Sequence, residues 1–442
     1  MPSHHNRRNR KSKKPQFTSH PVEVEITRLG AGGDGIGTDN KGRIIYMPYS
    51  LPGEIAVGKT IAKRGEGIAA KLESIQQPSK NRVNQKCDYF GQCGGCSMQH
   101  MADGAISDWK RETLTKTLHQ KGLDDFPINP TKSIPAGTRR RARFAVKPTQ
   151  NKCVFGFNSP FSKQIVDIET CPLLSPKLSE ALSILRQLSG SIEGFSMGGD
   201  VQATETQNGL DILFVPNNNG ELTLHDRENL IEFANQHQVA RIAWENDGWV
   251  EPVCALLPAD IKFAQTDVAV PIGAFLQPSQ AGQDILVDLV CKAVSGAKKI
   301  ADLYCGCGTF TLPLAALPQK PIIHAADGLE DQVSAMRKAV AGQKITVESI
   351  DLAKNPPSSD ELNTFDAVVF DPPRAGAQRL AENLAWSNVE TIVAVSCNPA
   401  TLARDLRILV DGGYEIVEAT PVDQFTWSAH LEAVVVLKRE SL

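Results

Sequence analysis

The chain has 442 residues, of which 41% are apolar and 22% charged, enough to bury a substantial core and too apolar for a wholly disordered protein. At roughly 100–200 residues per domain, this length makes two to four domains. No apolar run approaches the roughly 18–20 residues that cross a bilayer, and the basic start is followed by no apolar signal region, so no membrane partner is expected and the expected location is the cytoplasm.

Charge is unevenly placed. Lysine and arginine number 47 against 50 acids, a net −3. Arg7, Arg8, Arg10, Lys11, Lys13 and Lys14 fall in the first 22 residues with no acid among them, so the remainder carries −9. A basic arm on a mildly acidic body suits contact with nucleic-acid phosphates; a solvated tail is the plainer alternative. Ten cysteines are present, and Cys87, Cys93 and Cys96 fall within ten residues of one another. Without an export signal, ligand or catalytic roles are favoured over disulfides.

In chain order, VEVEITRL, GRIIYMPY, EIAVGKTIAKR and IAAKLESI read as short strands over residues 22–76, with the glycine-rich GAGGDGIGTDNKG as turns. Four or five such strands predict a small barrel of OB type. Residues 77–100 form a loop with the cysteines, and SDWKRETLTKTLHQKG (107–122) has helical spacing. From about 138 to 270 the pattern is mostly β (RARFAVKP, KCVFGFN, KQIVDIE, GLDILFV, VARIAWEN, IKFAQT), with one helix near 178–188, a mixed α/β domain. Beyond 280, apolar strands alternate with helices, the signature of a doubly wound, mainly parallel sheet.

The strand KIADLY ends in ADLYCGCGTF, where Gly306 and Gly308 precede a helix. Glycines there let backbone approach a ligand at the switch edge of the sheet, and Asp327 at the end of the next strand can bind the hydroxyls of a ribose. The third glycine of the dinucleotide fingerprint is missing, which suits S-adenosylmethionine better than a pyrophosphate. FDPPRAG (370–376) sets a rigid loop at the end of a further strand, and in VSCNPATLARDL Cys397 stands between a strand and a helix N-terminus, where the helix dipole favours a thiolate. His430 and Glu432 open the final strand, and partial burial there would raise Glu432 towards a general base. A thiolate adding to C6 of uracil makes C5 nucleophilic, and a base then removes the C5 proton.

Three cysteines in C-x5-C-G-G-C need a fourth thiolate, for which Cys171 is the best candidate and Cys153, within KCVFGF, the substitute. Spacing alone leaves an iron–sulfur cube and zinc both open. The run Arg139, Arg140, Arg141 and Arg143 puts basic residues on both faces of a strand, which reads as a phosphate-binding patch for RNA.

With these motifs the chain resembles the RNA uracil-C5 methyltransferases, and most closely the iron–sulfur 23S rRNA 5-methyluridine methyltransferases with an N-terminal TRAM domain. The resemblance spans about residues 18–442. After the basic arm (1–17), it implies a TRAM/OB-like RNA-binding domain (18–76), a central domain with a cysteine-ligated cluster (77–270) and a Rossmann-like methyltransferase domain (271–442). It implies Cys397 as nucleophile and Glu432 as base, Gln277, Tyr304, Thr309, Asp327, Asp351 and Asp371 around S-adenosylmethionine, and Phe275 beside the target base. It also implies a [4Fe-4S] cluster on Cys87, Cys93, Cys96 and Cys171. Thr309, Asp327 and Pro278-Ser279 stand where the family usually has asparagine, glutamate and Val-Asn. The expected activity is methylation of C5 of a specific uridine in 23S rRNA by a monomer. The alternatives are a tRNA uracil-C5 methyltransferase and a non-catalytic RNA-binding iron–sulfur protein; the presence of both Cys397 and Glu432 argues against the second.

Overall fold

In VEVEI, valine and isoleucine alternate with glutamate, and in the computed structural model Val22, Val24 and Ile26 point inward while Glu23 and Glu25 face out. The structure describes residues 18–439, so the basic arm 1–17 lies outside the described residues. Five strands close a barrel in the order Pro21–Leu29, Gly35–Thr38, Ile44–Met47, Gly67–Gln77, Ile55–Arg64. Part of the stretch expected as turns is thus a strand. Gly37 explains why: a Cβ there would lie 2.1 Å from the Glu25 carbonyl oxygen, so only glycine permits this pairing. Glu54 of LPGE is buried and accepts hydrogen bonds from the Leu51 amide and the Arg82 guanidinium.

Of the described residues, 18–84 with 100–102 form one compact unit, which holds the barrel; residues 85–99 and 103–439 form the other. The second unit contains two large sheets. One has seven strands, in the order Trp249–Ala255, Arg241–Asn246, Gly209–Pro216, Gly199–Thr206, Arg141–Pro148, Cys153–Asn158, Ile165–Asp167. The helices Pro176–Ser191 and Leu224–Gln236 cover it over a core that includes Phe144, Phe155, Phe195, Phe214 and Trp244. The first helix starts on a Ser175 cap with Pro176 behind it. The second, not expected from the sequence, has a capping box of Thr223 and Asp226.

The other sheet has eight strands, and its first five, Ile345–Ser349, Ile322–Asp327, Lys299–Leu303, Ala367–Phe370 and Thr391–Ser396, run parallel. Glu432–Lys438 follows antiparallel, then Glu415–Asp423 and the short Lys132–Ser133. This is the doubly wound sheet expected beyond residue 280, with the strand Glu415–Asp423 added. Its topology brings the carboxyl ends of the parallel strands and the start of Glu432–Lys438 to one edge, with Ser396 paired to Ala433.

Candidate active site

Cys397 leaves the strand Thr391–Ser396 immediately before Asn398, the N-cap of the helix Pro399–Asp411. The thiol is half-buried, and burial, reinforced by the Glu432 and Asp371 carboxyls, pushes it up to about 11 against the opposing pull of Arg374. The sequence predicts a thiolate favoured by the helix; burial and the two acids act in the opposite direction, towards the thiol. Glu432 is 3% exposed, and burial together with Asp371 raises it to about 8. Burial raises Asp371 as well, to about 7.

Amides join these acids. Gln277, buried on the loop before the helix Gln280–Ala293, points its Nε2 towards Asp371 at 3.4 Å. The Nε2 of Gln424 donates to Oε1 of Gln277 and to Oε2 of Glu432, both at 2.8 Å. Sequence reasoning missed Gln424. The one available signal was its place beyond the strand that pairs with Glu432, and that strand was itself not expected.

Along the same edge, Asp302 is fully buried, takes a hydrogen bond from the Thr311 hydroxyl and is raised to about 7 by burial. Tyr304 follows with φ +65° and Gly308 with φ +98°, a tight reversal into the helix Thr311–Ala315. Asp327 accepts from the Gly306 amide at 3.0 Å and the Leu329 amide at 2.9 Å, which fixes its carboxylate against the loop. Thr309 is half-buried on that loop. Asp351 lies exposed after the strand Ile345–Ser349, 2.8 Å from Lys354, which holds its carboxyl below the usual range.

Phe275 is 61% exposed, with the Arg141 guanidinium 5.8 Å from its ring centre. The four arginines divide. Arg140 is buried and spends its guanidinium on the Gln277 carbonyl and the carboxamides of Gln280 and Gln283. It is a scaffold for the Gln277 loop, which corrects its expected place in a phosphate patch. Arg143 is exposed and paired with Asp200 at 2.8 Å; Arg139 donates to the Arg141 carbonyl.

Cys87, Cys93, Cys96 and Cys171 line one cavity of about 400 Å³ together with Arg139, Phe425 and His430. Cys153 sits instead in its strand against Gly190 of the helix Pro176–Ser191. Burial is the main force raising the thiols, and it takes Cys96 to about 12. Among the described residues, no group of three or more histidine, cysteine or acidic side chains is arranged to hold a metal ion. The amides of Ser97 and Met98 donate to the Trp427 carbonyl, so the cysteine loop is bonded to the segment that leads into Glu432.

Residues 259–440 match the tRNA (uracil-5-)-methyltransferase family model. An uncharacterized RNA methyltransferase of Mesorhizobium japonicum is 38% identical over 94% of this chain and 97% of its own length. A 23S rRNA (uracil(1939)-C(5))-methyltransferase of Acinetobacter baumannii is 31% identical over 97% of this chain and 98% of its own. The crystal structure of Pyrococcus abyssi tRNA (uracil-54, C5)-methyltransferase in complex with S-adenosyl-L-homocysteine superposes with a TM-score of 0.73 at 25% identity, covering 94% of this chain and 99% of the other. A relative of this identity aligned over nearly the full length leaves one conclusion: the chain belongs to the RNA (uracil-5-)-methyltransferase family.

Proposed function

We propose that the protein methylates C5 of a uridine in 23S rRNA from S-adenosylmethionine through a covalent adduct between Cys397 and C6. The observation that carries this reading is the pairing of strand ends that sets Cys397 and the buried Glu432 at one sheet edge, with Asp371 acting on both. When bound, S-adenosylmethionine supplies an electrophilic methyl group. Asp327, on the ribose side, and Gln277, Asp371, Tyr304, Thr309 and Asp351 would hold it. The fully buried Asp302, whose Oδ1 has no hydrogen-bond partner, fits a site that receives a cationic amine.

Uracil enters beside Phe275. The Cys397 sulfur bonds to C6 as the thiol proton passes to the Asp371 carboxylate, and the C5–C6 π pair moves into an enolate, so that C5 can accept the methyl group. Glu432, as its carboxylate, then takes the C5 proton, the C5–C6 double bond re-forms, and the C6–S bond breaks as the sulfur regains its proton from Asp371. A base raised towards neutrality suits that removal, because it is strong enough to take the proton and weak enough to release it.

For the cavity the proposed occupant is a [4Fe-4S] cluster. Its support is that four thiols and Arg139 line one cavity, a cation suited to a cluster that four thiolates leave negatively charged, although among the described residues the thiols are not drawn together into a metal-holding group. Cys87, Cys93, Cys96 and Cys171 would hold it, and the bonds from Ser97 and Met98 to Trp427 give it a structural task, bracing the segment before Glu432. Methylation of a tRNA uridine is the second reading, favoured by the family model and by the archaeal structure.

The test uses methyl-labelled S-adenosylmethionine with unmodified 23S rRNA and tRNA transcripts on a denaturing gel. Cys397→Ala should give neither adduct nor product. Glu432→Gln should accumulate methylated, protein-linked RNA. Adduct persisting in Cys397→Ala would overturn the nucleophile assignment, and labelling of tRNA alone would move the substrate to tRNA.

A further inference from the structure

Gln424 has no part in the steps above, yet its surroundings are the most fully specified at the site. Its carboxamide nitrogen carries two hydrogens and has two acceptors at the same 2.8 Å, one on Gln277 and one on Glu432. Its oxygen is buried without a hydrogen-bond partner. Turning the amide over would face that oxygen against the oxygens of Gln277 and Glu432, so the orientation is held although one buried acceptor goes unmatched.

The space for this side chain is set by Gly282 in the first turn of the helix Gln280–Ala293. A Cβ at 282 would lie 2.8 Å from both Cβ and Oε1 of Gln424. Alanine is the better helix former at such a position. The chain has glycine where Gln424 needs room.

We propose that Gln424 is a positioning residue that couples the cofactor-side Gln277 to the base Glu432. This rests on the reading of Glu432 as the base. By occupying Oε2 of Glu432, Gln424 leaves Oε1 of that carboxyl to meet the C5 proton and favours the carboxylate form. By occupying Oε1 of Gln277, it turns the Gln277 amide nitrogen towards Asp371. One primary amide thus sets the orientation of a cofactor contact and the readiness of a base together. The charged and titratable groups around Glu432 are Asp371, from the end of Ala367–Phe370, and Cys397, from the end of Thr391–Ser396, with Arg374 acting on Cys397. A change at 424 removes none of these groups, though it frees the Gln277 amide that faces Asp371.

Gln424→Met keeps the length and loses the donors. Two quantities are read on the full-length protein: the decay of the methylated adduct against pH, on 23S rRNA and tRNA transcripts, and the affinity for S-adenosylhomocysteine by calorimetry. Decay at pH 7 should slow about tenfold and recover at higher pH, its midpoint rising by about one pH unit, because loss of a hydrogen bond to a carboxylate disfavours the ionised base. Affinity for S-adenosylhomocysteine should fall several-fold. Gly282→Ala, which leaves every polar group in place, should move both readings in the same direction, and it carries the test should Gln424→Met fail to fold. An unmoved midpoint with unchanged S-adenosylhomocysteine affinity, in a wild type that forms and resolves its adduct, overturns the role of Gln424 alone. Failure of the wild type to form any adduct on either RNA overturns the reading beneath it.

Discussion

The catalytic edge and the cysteine cavity bury the same kind of group, an acid driven towards its neutral form by loss of water, and they treat it differently. At the edge, Glu432 and Asp302 receive hydrogen bonds from side chains that do not titrate, Gln424 and Thr311. In the cavity the donors to Cys93 and Cys171 are backbone amides, from Gly95 and from Leu173 and Leu174, while Cys96 takes a side chain, that of Gln99. Amide side chains suit a place where a proton must come and go within one turnover. A shell made mostly of backbone donors would suit the cluster proposed above, where the protons leave once, on assembly, and stay away.

The largest test of this contrast is at the cavity. Cys171→Ser should reduce iron and sulfide in anaerobically purified protein to near zero, and Cys153→Ser should leave both at the wild-type level. Stoichiometric zinc with neither iron nor sulfide in the wild type would replace the cluster with a zinc site. At the edge, Arg140→Met removes the guanidinium that three glutamines share and leaves their oxygens unmatched, so denaturant unfolding should show a loss of about 2–4 kcal/mol. Arg143→Ala, at an exposed ion pair, should cost under about 1 kcal/mol and register instead as weaker RNA binding.

The last test concerns pH. Glu432 is raised in the folded protein to about 8 from an ordinary 4.5, so between those values the unfolded chain loses the proton while the folded one keeps it. Wild-type stability should therefore fall across that window on account of this group. Glu432→Gln removes the penalty: its Tm should exceed that of wild type by a few degrees at pH 8, and the difference should vanish below pH 4.5. A constant difference at all pH values would show that Glu432 is ionised in the resting fold.

What could be read from the chain followed the regularity of its patterns. The strand Arg141–Pro148 was legible to the residue because its apolar and polar positions alternate, and the parallel strands were legible as short apolar runs bounded by helices. The helix Leu224–Gln236 was missed because LHDRENLIEFANQ buries only a narrow stripe of Leu230, Phe233 and Ala234 beside Asp226. The arginine run shows information present but unused. Ala142, Phe144 and Val146 are buried, and the same two-residue phase carried back one step points Arg140 inward and Arg141 and Arg143 outward. Gln424 was beyond reach, since its meaning comes from an antiparallel pairing across the sheet rather than from its neighbours in sequence.

The raised thiol of Cys397 also bears on how the protein endures oxidants between turnovers. Peroxide and soft electrophiles attack thiolates, and a sulfur held near 11 offers little thiolate at neutral pH. In the proposed reaction burial first, and the two acids second, keep the nucleophile quiet until a base enters and the proton has somewhere to go. Protection from sulfenic acid formation would then be a by-product of burying the nucleophile.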